Sequence, residues 1–226
     1  MKHEATMKLL ALETATEACS AAVWGDGAVL ERYEIAPRRH AALILPMIES
    51  VLAEAGLTIN QLDGIAVGRG PGAFTGVRIA VSVAQGLAFA ADLPVVPVST
   101  LAALALGAAR ETGQMRIATA LDARMGEVYW GTWAVSEDRV ALLGEERVCA
   151  PALVTAPPDG WFGVGSGWSA YAQALSQRLT VNGWAGDRYP HASDIVRLAA
   201  DPARRDSWVT AEQALPVYLR DRVVGR

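Results

Sequence analysis

Lysine is almost missing from this chain: Lys2 and Lys8 are the only two in 226 residues. With neither placed after a glycine loop, there is no GxxxxGK[ST] phosphate loop. Histidine is nearly as scarce. His3, His40 and His191 stand far apart, so no pair at helical spacing and no HExxH zinc-protease motif exists. Cys19 and Cys149 belong to no CxxC or Cys/His cluster. They read as buried thiols or surface bystanders in a reducing cytosol. Basic runs are absent too. The net charge is −4 and the pI near 5.4, with only the isolated pairs Arg38-Arg39 and Arg204-Arg205. Such a chain is poorly equipped to grip a nucleic acid alone. No segment reads as long enough to span a membrane. The N-terminal apolar run, interrupted by Glu13, is too short for a signal peptide. The expectation is a cytoplasmic protein, with residues 1–6 an extension and Met7 a candidate natural start.

What is present is organised around residues 64–103. A short apolar strand at 65–68 breaks into a loop holding Gly68, Gly70, Pro71, Gly72 and Gly76. A helix is expected over 76–91 with Thr75 as N-cap, then a strand at 95–98 ending on Ser99, the cap of the next helix. Strand, glycine loop, helix, strand is the grammar of a parallel βαβ unit. Pro71-Gly72 suits a tight turn, with Gly72 taking positive φ. Bare glycines before a helix can hold an anion or can serve close packing. Gly68, Gly70 and Ala73 fit GxGxxG/A by letter, but no acidic residue ends the next strand to hold a ribose. Polar residues on the helix make one thin stripe, Arg78, Ser82 and Gln85; the rest is apolar and much of it small. A helix apolar nearly all round is expected to be buried nearly all round. Its cover is either a second layer of the same domain or a partner.

The remainder reads as a meander at 8–15, 18–24 and 28–35, an amphipathic helix at 39–55 closed by Gly56, and a helix from Thr100 to about Glu111. The pattern then restarts, with strands at 116–122, 127–133 and 139–148, a connector at 151–160 and a strand at 162–165. Helices are expected at 169–178 and 194–200, the latter capped by Ser193. Ala11-Leu12-Glu13 followed by Trp24 is matched by Ala120-Leu121-Asp122 followed by Trp133 at equal spacing. With the repeated meander, this suggests two related halves. Six of the seven tryptophans lie at or beyond Trp130, so the halves pack differently. Two such halves are the actin-like plan. The boundary is placed at 112–115, giving subdomains 1–112 and 113–226, with the C-terminal tail a candidate to pack back on the first.

The run GRGPGAFTGVRIAVSVAQGLAFA resembles the signature of the TsaB family, also called YeaZ. LALETATEACSAAVW at 10–24, LDARMGEVYWGTW at 121–133 and ALPVYLRDRVV at 214–224 resemble the same family, in order and over nearly the whole chain. The resemblance implies an α/β fold, a reduced actin-like (ASKHA, ribonuclease H-like) fold of two related subdomains. It implies a subunit of the bacterial machinery that makes threonylcarbamoyladenosine in tRNA. The partners implied are a TsaD-type catalytic subunit, a TsaE-type ATPase and, when alone, a second copy of the chain; tRNA is met only through the complex. ATP and metal are expected on those partners and no cofactor on this chain. TsaD, of the Kae1 family, carries a metal-binding histidine pair in HMEGH just after the second strand. Thr100 and Leu104 fall at those positions here and neither replaces imidazole.

Candidate site residues follow. The partner or dimer interface is assigned to Arg69, Pro71, Phe74, Thr75, Arg78, Ala80, Val81, Ala84, Gln85 and Ala88, with the 39–55 helix alongside. An Ala84→Arg change is then expected to give folded monomers. Glu13, Gly70, Gly72 and Asp122 make a candidate vestigial nucleotide cleft. Glu13 and Asp122 end one strand in each half, either as a carboxylate pair on a metal or as cap and turn acceptors. The family pattern has Asp more often at the position of Glu13. No residue is assigned as catalytic and none as a metal ligand. Gly165-Ser166-Gly167 lacks the first Gly of GxSxG, because Val164 stands there. Two rival readings are a stand-alone actin-like ATPase or kinase, carried by Glu13, Asp122 and the glycine loop, and a peptidase acting on the partner.

Overall fold

The computed structural model describes residues 7–137 and 139–220. The first sheet begins with a meander of β1 (Leu9–Glu13), β2 (Ala18–Gly25) and β3 (Ala28–Ile35). Beyond β1 it adds two parallel strands, β4 (Gly64–Gly68) and β5 (Val95–Val98), giving the order β3-β2-β1-β4-β5. β1 reads LLALE and is buried throughout, as a central strand covered on both faces must be. Leu10 and Leu12 face a core shared with α1 (His40–Ala55) and α2 (Phe74–Ala91). Leu9 and Ala11 face the opposite core, shared with α3 (Thr100–Thr112) and, from far down the chain, α5 (Ala192–Ala200).

The second sheet repeats the plan. Its meander is β6 (Arg116–Arg124), β7 (Glu127–Ser136) and β8 (Arg139–Leu142), with β9 (Arg147–Cys149) also on β7. Beyond β6 lie the parallel β10 (Gly160–Val164) and β11 (Thr180–Ala185), giving the order β11-β10-β6-β7-β8. Each sheet is thus a three-stranded meander with two parallel strands on the far side of its first strand. This duplicated α/β plan is the actin-like fold. The Trp repeat lies one residue out of register: Trp24 pairs with Leu9 but Trp133 with Ile117. A bulge between Asp122 and Arg124 takes up the extra residue. α4 (Ser166–Ser176) covers the outer face of this sheet, where Trp130, Trp161 and Trp168 are fully enclosed. Each of these indole N–H groups donates to a backbone carbonyl, of Thr155, Pro157 and Ala118 respectively.

α3 is the helix buried on all sides. Its first ten residues are buried except Gly107, and it packs between Ala66, Val96 and Val98 of one sheet and Ile117, Leu121 and Trp133 of the other. Sequence patterning assigned that role to α2, and the structure corrects it. α2 turns Ala80, Val81, Ala84 and Ala88 onto its own sheet and leaves Phe74, Thr75, Arg78, Ser82, Gly86 and Phe89 exposed. Its small residues serve its seat on β4 and not a foreign helix. Among the described residues it is also the one helix long and apolar enough to cross a membrane, at mean hydropathy 1.4 over 18 residues. The expectation that no segment reaches that length is therefore corrected, although here the helix lies on the sheet.

Other boundaries shift for visible reasons. α2 starts at Phe74, and Thr75 sits in its first turn instead of capping it. Ser99 does cap α3, accepting from the Ala102 N–H at 3.1 Å, and Gly56 ends α1 at φ 64°. α5 starts at Ala192, not after a Ser193 cap. Its first N–H groups are bound across the chain, Ala192 N–H to Ser20 Oγ and Ser193 N–H to Glu31 Oε1, both at 2.9 Å. β11 has no counterpart in the sequence reading, because Asn182-Gly183 inside it looks like a hairpin turn. The expected tail segment beyond Arg220 lies outside the described residues.

Ala84 is fully buried, so Ala84→Arg places a guanidinium in the core without a partner. Instead of folded monomers, that variant is expected to lose roughly 10 °C or more from the unfolding midpoint. Ser82→Arg, on the exposed face of the same helix, should shift it by no more than about 2 °C. Thermal unfolding followed by circular dichroism decides.

Candidate functional site

Glu13 ends β1 in the interior of the molecule. Its carboxylate is fully buried; Oε1 accepts from the Ala15 N–H at 2.6 Å and Oε2 from Thr100 Oγ1 at 2.9 Å. A Cβ at Gly68 would stand 2.0 Å from Oε2, so β4 runs hard against this carboxylate and only glycine fits. Burial pushes the Glu13 pKa up to about 7, opposed by the hydrogen bonds from Ala15, Thr100 and Thr14. Thr100, where the catalytic relative is expected to hold a histidine, instead ties the first helical turn of α3 to β1.

The glycine loop serves close packing. Gly70 carries the positive φ, 92°, followed by a cis Gly70–Pro71 bond, whereas Gly72 was expected to carry it. Gly72 is instead a contact point: a Cβ there would lie 2.4 Å from the Ala15 carbonyl oxygen. That carbonyl accepts from the Ala73 N–H at 2.7 Å, and Thr14 Oγ1 donates to the Gly76 carbonyl at 2.7 Å. The loop and the start of α2 are thereby pressed onto the β1–β2 turn.

A cleft of about 490 Å³ opens between the two sheets, lined among others by Thr16, Glu17, Arg38, His40, Gly72, Asp122, Arg124, Ser166 and Arg220. Asp122 sits on its wall, while Glu13 is not among its lining residues. The two carboxylates, read from the sequence either as a pair on a metal or as cap and turn acceptors, are therefore in different environments. Asp122 accepts from the Arg124 N–H and from Arg124 Nη1, both at 2.9 Å. Arg124 also pairs with Glu17 of the first sheet's turn at 3.2 Å. No group of three or more His, Cys, Asp or Glu side chains placed to hold a metal occurs among the described residues. Ser166, His40 and Asp122 share the cleft, yet they are not wired as a hydrolase triad. Ser166 Oγ accepts from the Asp122 N–H at 3.1 Å, and His40 Nε2 faces the Ala18 carbonyl at 3.2 Å, which keeps its proton on that nitrogen.

The ten residues assigned to the interface do not form one surface. Pro71, Ala80, Val81, Ala84 and Ala88 are buried in the monomer and cannot meet a partner. Arg69 and Gln85 are half-buried. The Arg69 backbone bonds to Val98 and Val217, and Gln85 Nε2 donates to the Ala214 carbonyl at 3.0 Å. Phe74, Thr75 and Arg78 are exposed, and with Ala41, Ile44, Leu45, Ile79, Ser82 and Val83 they line an apolar groove of about 450 Å³ between α1 and α2. The Arg78 guanidinium lies 3.6 Å over the Phe74 ring, and Arg78 Nε donates to Tyr218 Oη at 2.7 Å. Leu45 and Tyr218 were not among the sequence candidates. Leu45 is an exposed leucine within an amphipathic helix, and that apolar letter on the outer face was the signal available.

Glu146 was also missed. It accepts from Ser99 Oγ at the start of α3 and lies 3.9 Å from the Arg69 guanidinium. Burial raises its pKa against the pull of Ser99 and Arg69. No motif marks it, because the contact joins the second half to the first only in three dimensions.

The raised pKa of Glu13 sets a pH dependence. The folded chain holds this proton more tightly than the unfolded chain does. The associated stability is complete below about pH 4.5 and is lost as the pH rises through about 7. Glu13→Gln keeps the shape and lets the Thr100 hydroxyl accept instead of donate. Its unfolding midpoint relative to the parent chain is expected to rise steadily from pH 4.5 to 7.5. A difference that stays flat across that range would show that Glu13 titrates normally.

Residues 32–160 match the family described as TsaD: tRNA N6-adenosine threonylcarbamoyltransferase. The chain is 41% identical to the tRNA threonylcarbamoyladenosine biosynthesis protein TsaB of Escherichia coli, over 97% of each protein. It is 42% identical to the protein of the same name from Haemophilus influenzae, over 97% of this chain and 96% of the other. The solved structure of YeaZ from Pseudomonas aeruginosa superposes with a TM-score of 0.90 at 50% identity, covering 94% of this chain and all (100%) of that one. A second Pseudomonas aeruginosa structure, of an uncharacterized protein described as similar to peptidase YEAZ, gives the same score and identity over 95% of this chain. A fold built twice on the actin-like plan, a glycine loop pressed onto the β1–β2 turn, and near full-length similarity at these levels place the chain in the TsaB, or YeaZ, family.

Proposed function

We propose that this chain is a non-catalytic, activating subunit in the synthesis of threonylcarbamoyladenosine in tRNA, holding a TsaD-type catalytic subunit through the outer face of α1 and α2. The observation that carries this reading is the groove between those helices. It is apolar, it is open, and it is rimmed by Phe74 and Leu45, about half exposed at 50% and 48%. Exposed apolar side chains gathered around one groove mark a contact surface. The interior placement of Glu13 supports the non-catalytic part. A carboxylate closed in by Gly68 and Thr100 has no path to a metal or a nucleotide. The arrangement of Asp122 with Arg124 likewise makes it a turn acceptor.

In this reading ATP, metal and most tRNA contacts belong to other subunits, including a TsaE-type ATPase. The chain works in the cytoplasm, where tRNA is modified. Without its partner it forms a homodimer through the same groove, which covers the exposed aromatic and aliphatic side chains. The reading that this is a stand-alone ATPase or a peptidase draws no comparable support from the cleft.

The test is threonylcarbamoyl transfer to tRNA by TsaD-type and TsaE-type partners reconstituted with and without this chain. Activity is expected only with it, and to persist in Glu13→Gln and Asp122→Asn. Leu45→Asp and Phe74→Asp are expected to weaken the complex by about a hundredfold while leaving the chain folded, since each puts a charge into an apolar contact. Full activity without the chain, or an unchanged complex in both aspartate variants, removes this reading.

A further inference from the structure

We propose that the C-terminal segment 214–220 is a strap that couples the outer face of α2 to the cleft between the two sheets. The segment has no regular secondary structure of its own. Its course is set by a short series of point contacts on α2, the glycine loop and the second sheet. The Ala214 carbonyl accepts from Gln85 on α2. The Val217 N–H donates to the Arg69 carbonyl in the glycine loop at 2.8 Å. The Tyr218 hydroxyl accepts from Arg78, and its ring lies 5.5 Å from that of Phe74. Arg220 then crosses to the second sheet, pairing with Glu127 on β7 and resting on the Met125 sulfur at 3.8 Å.

The spacing makes the contacts interdependent. Tyr218 and Arg220 are two residues apart, a stretch of chain that reaches at most about 7 Å. Tyr218 seated against α2 thus keeps Arg220 within reach of Glu127. Phe74 and Arg78, on which Tyr218 rests, are also lining residues of the α1–α2 groove. Arg220 in turn lines the cleft, where Arg124 and Glu17 make a second tie between the sheets. A molecule seated in the groove presses on the anchor of the strap, and the clasp at Glu127 responds. The coupling holds whatever occupies the groove, so it stands or falls separately from the identity of the partner.

Hydrogen exchange read by mass spectrometry on the full chain tests this. Arg220→Ala is expected to speed exchange of the 122–129 hairpin amides by about fivefold, on the scale of one coupled side-chain contact. Tyr218→Ala removes contacts made to Arg78 and Phe74 on α2, yet it is expected to produce a similar increase in the hairpin, with α3 amides unchanged as a control for global unfolding. Tyr218→Phe keeps the ring on Phe74 and should fall in between. If Arg220→Ala speeds the hairpin and Tyr218→Ala leaves it as in the parent chain, the anchors act independently and the strap is refuted. If neither variant changes the hairpin, the clasp itself carries no load and the proposal also fails.

Discussion

The architecture depends on α3 being narrow enough to serve two sheets at once. Ala102, Ala103, Ala105, Ala108 and Ala109 present methyl groups to both sides, and Leu101, Leu104 and Leu106 fill the remaining space. One helix thereby closes the inner face of the first sheet and the inner face of the second. A larger residue at the alanines would push the sheets apart, since a packed interior has no room to absorb the added volume. α5 completes the arrangement from the far end of the chain. It lies on the first sheet, with Asp194 buried and bound to Arg110 of α3 at 2.7 Å. The second half of the sequence therefore supplies part of the first half's core.

This joining explains the state of the cleft. In an actin-like plan, the ends of the first strands face one another across it. Here the first of those ends, Glu13, is folded inward and held by Thr100, while Asp122 is engaged by the turn it begins. The cleft is crossed by ion pairs, Arg124 with Glu17 and Arg220 with Glu127. Ion pairs at half-exposed positions contribute little stability individually. The buried carboxylates Glu13 and Asp194 and the partly buried Glu146 all lie at joints between elements, and burial raises the pKa of each.

α2 has two faces with separate duties. The inner one, built on alanine and valine, lets the helix sit close on β4 and β1. The outer one carries Phe74 and Arg78 beside the groove and Phe89 further along, 76% exposed. The glycine loop ahead of it is the device that brings the first turn of the helix against the β1–β2 turn. Its family signature is thus a packing signature, and the surface proposed to meet a partner lies on the opposite side of the same helix.

Local pattern determined a good deal. The two meanders, the parallel βαβ unit around residues 64–98, the Ser99 and Gly56 caps and the duplicated plan all follow from short-range periodicity and turn chemistry, which a chain displays in order. Four similar stretches spread over nearly its whole length also carried the family. The tertiary structure decided what those patterns leave open. An apolar, small-residue helix reads the same whether its cover is one sheet, two sheets or another molecule, so the all-round burial expected of α2 fell to α3. Ala80, Ala84 and Ala88 went inward, because which side of a helix meets its sheet depends on where the sheet is. Glu13 and Asp122 look alike at their strand ends, and only the approach of Gly68 and Thr100 encloses one while the other stays on the cleft wall. Contacts such as Glu31 with the start of α5, Glu146 with Ser99 and Tyr218 with Arg78 join residues far apart in the chain. No local signal announces them, because the free energy that forms them exists only once the sheets have been brought together.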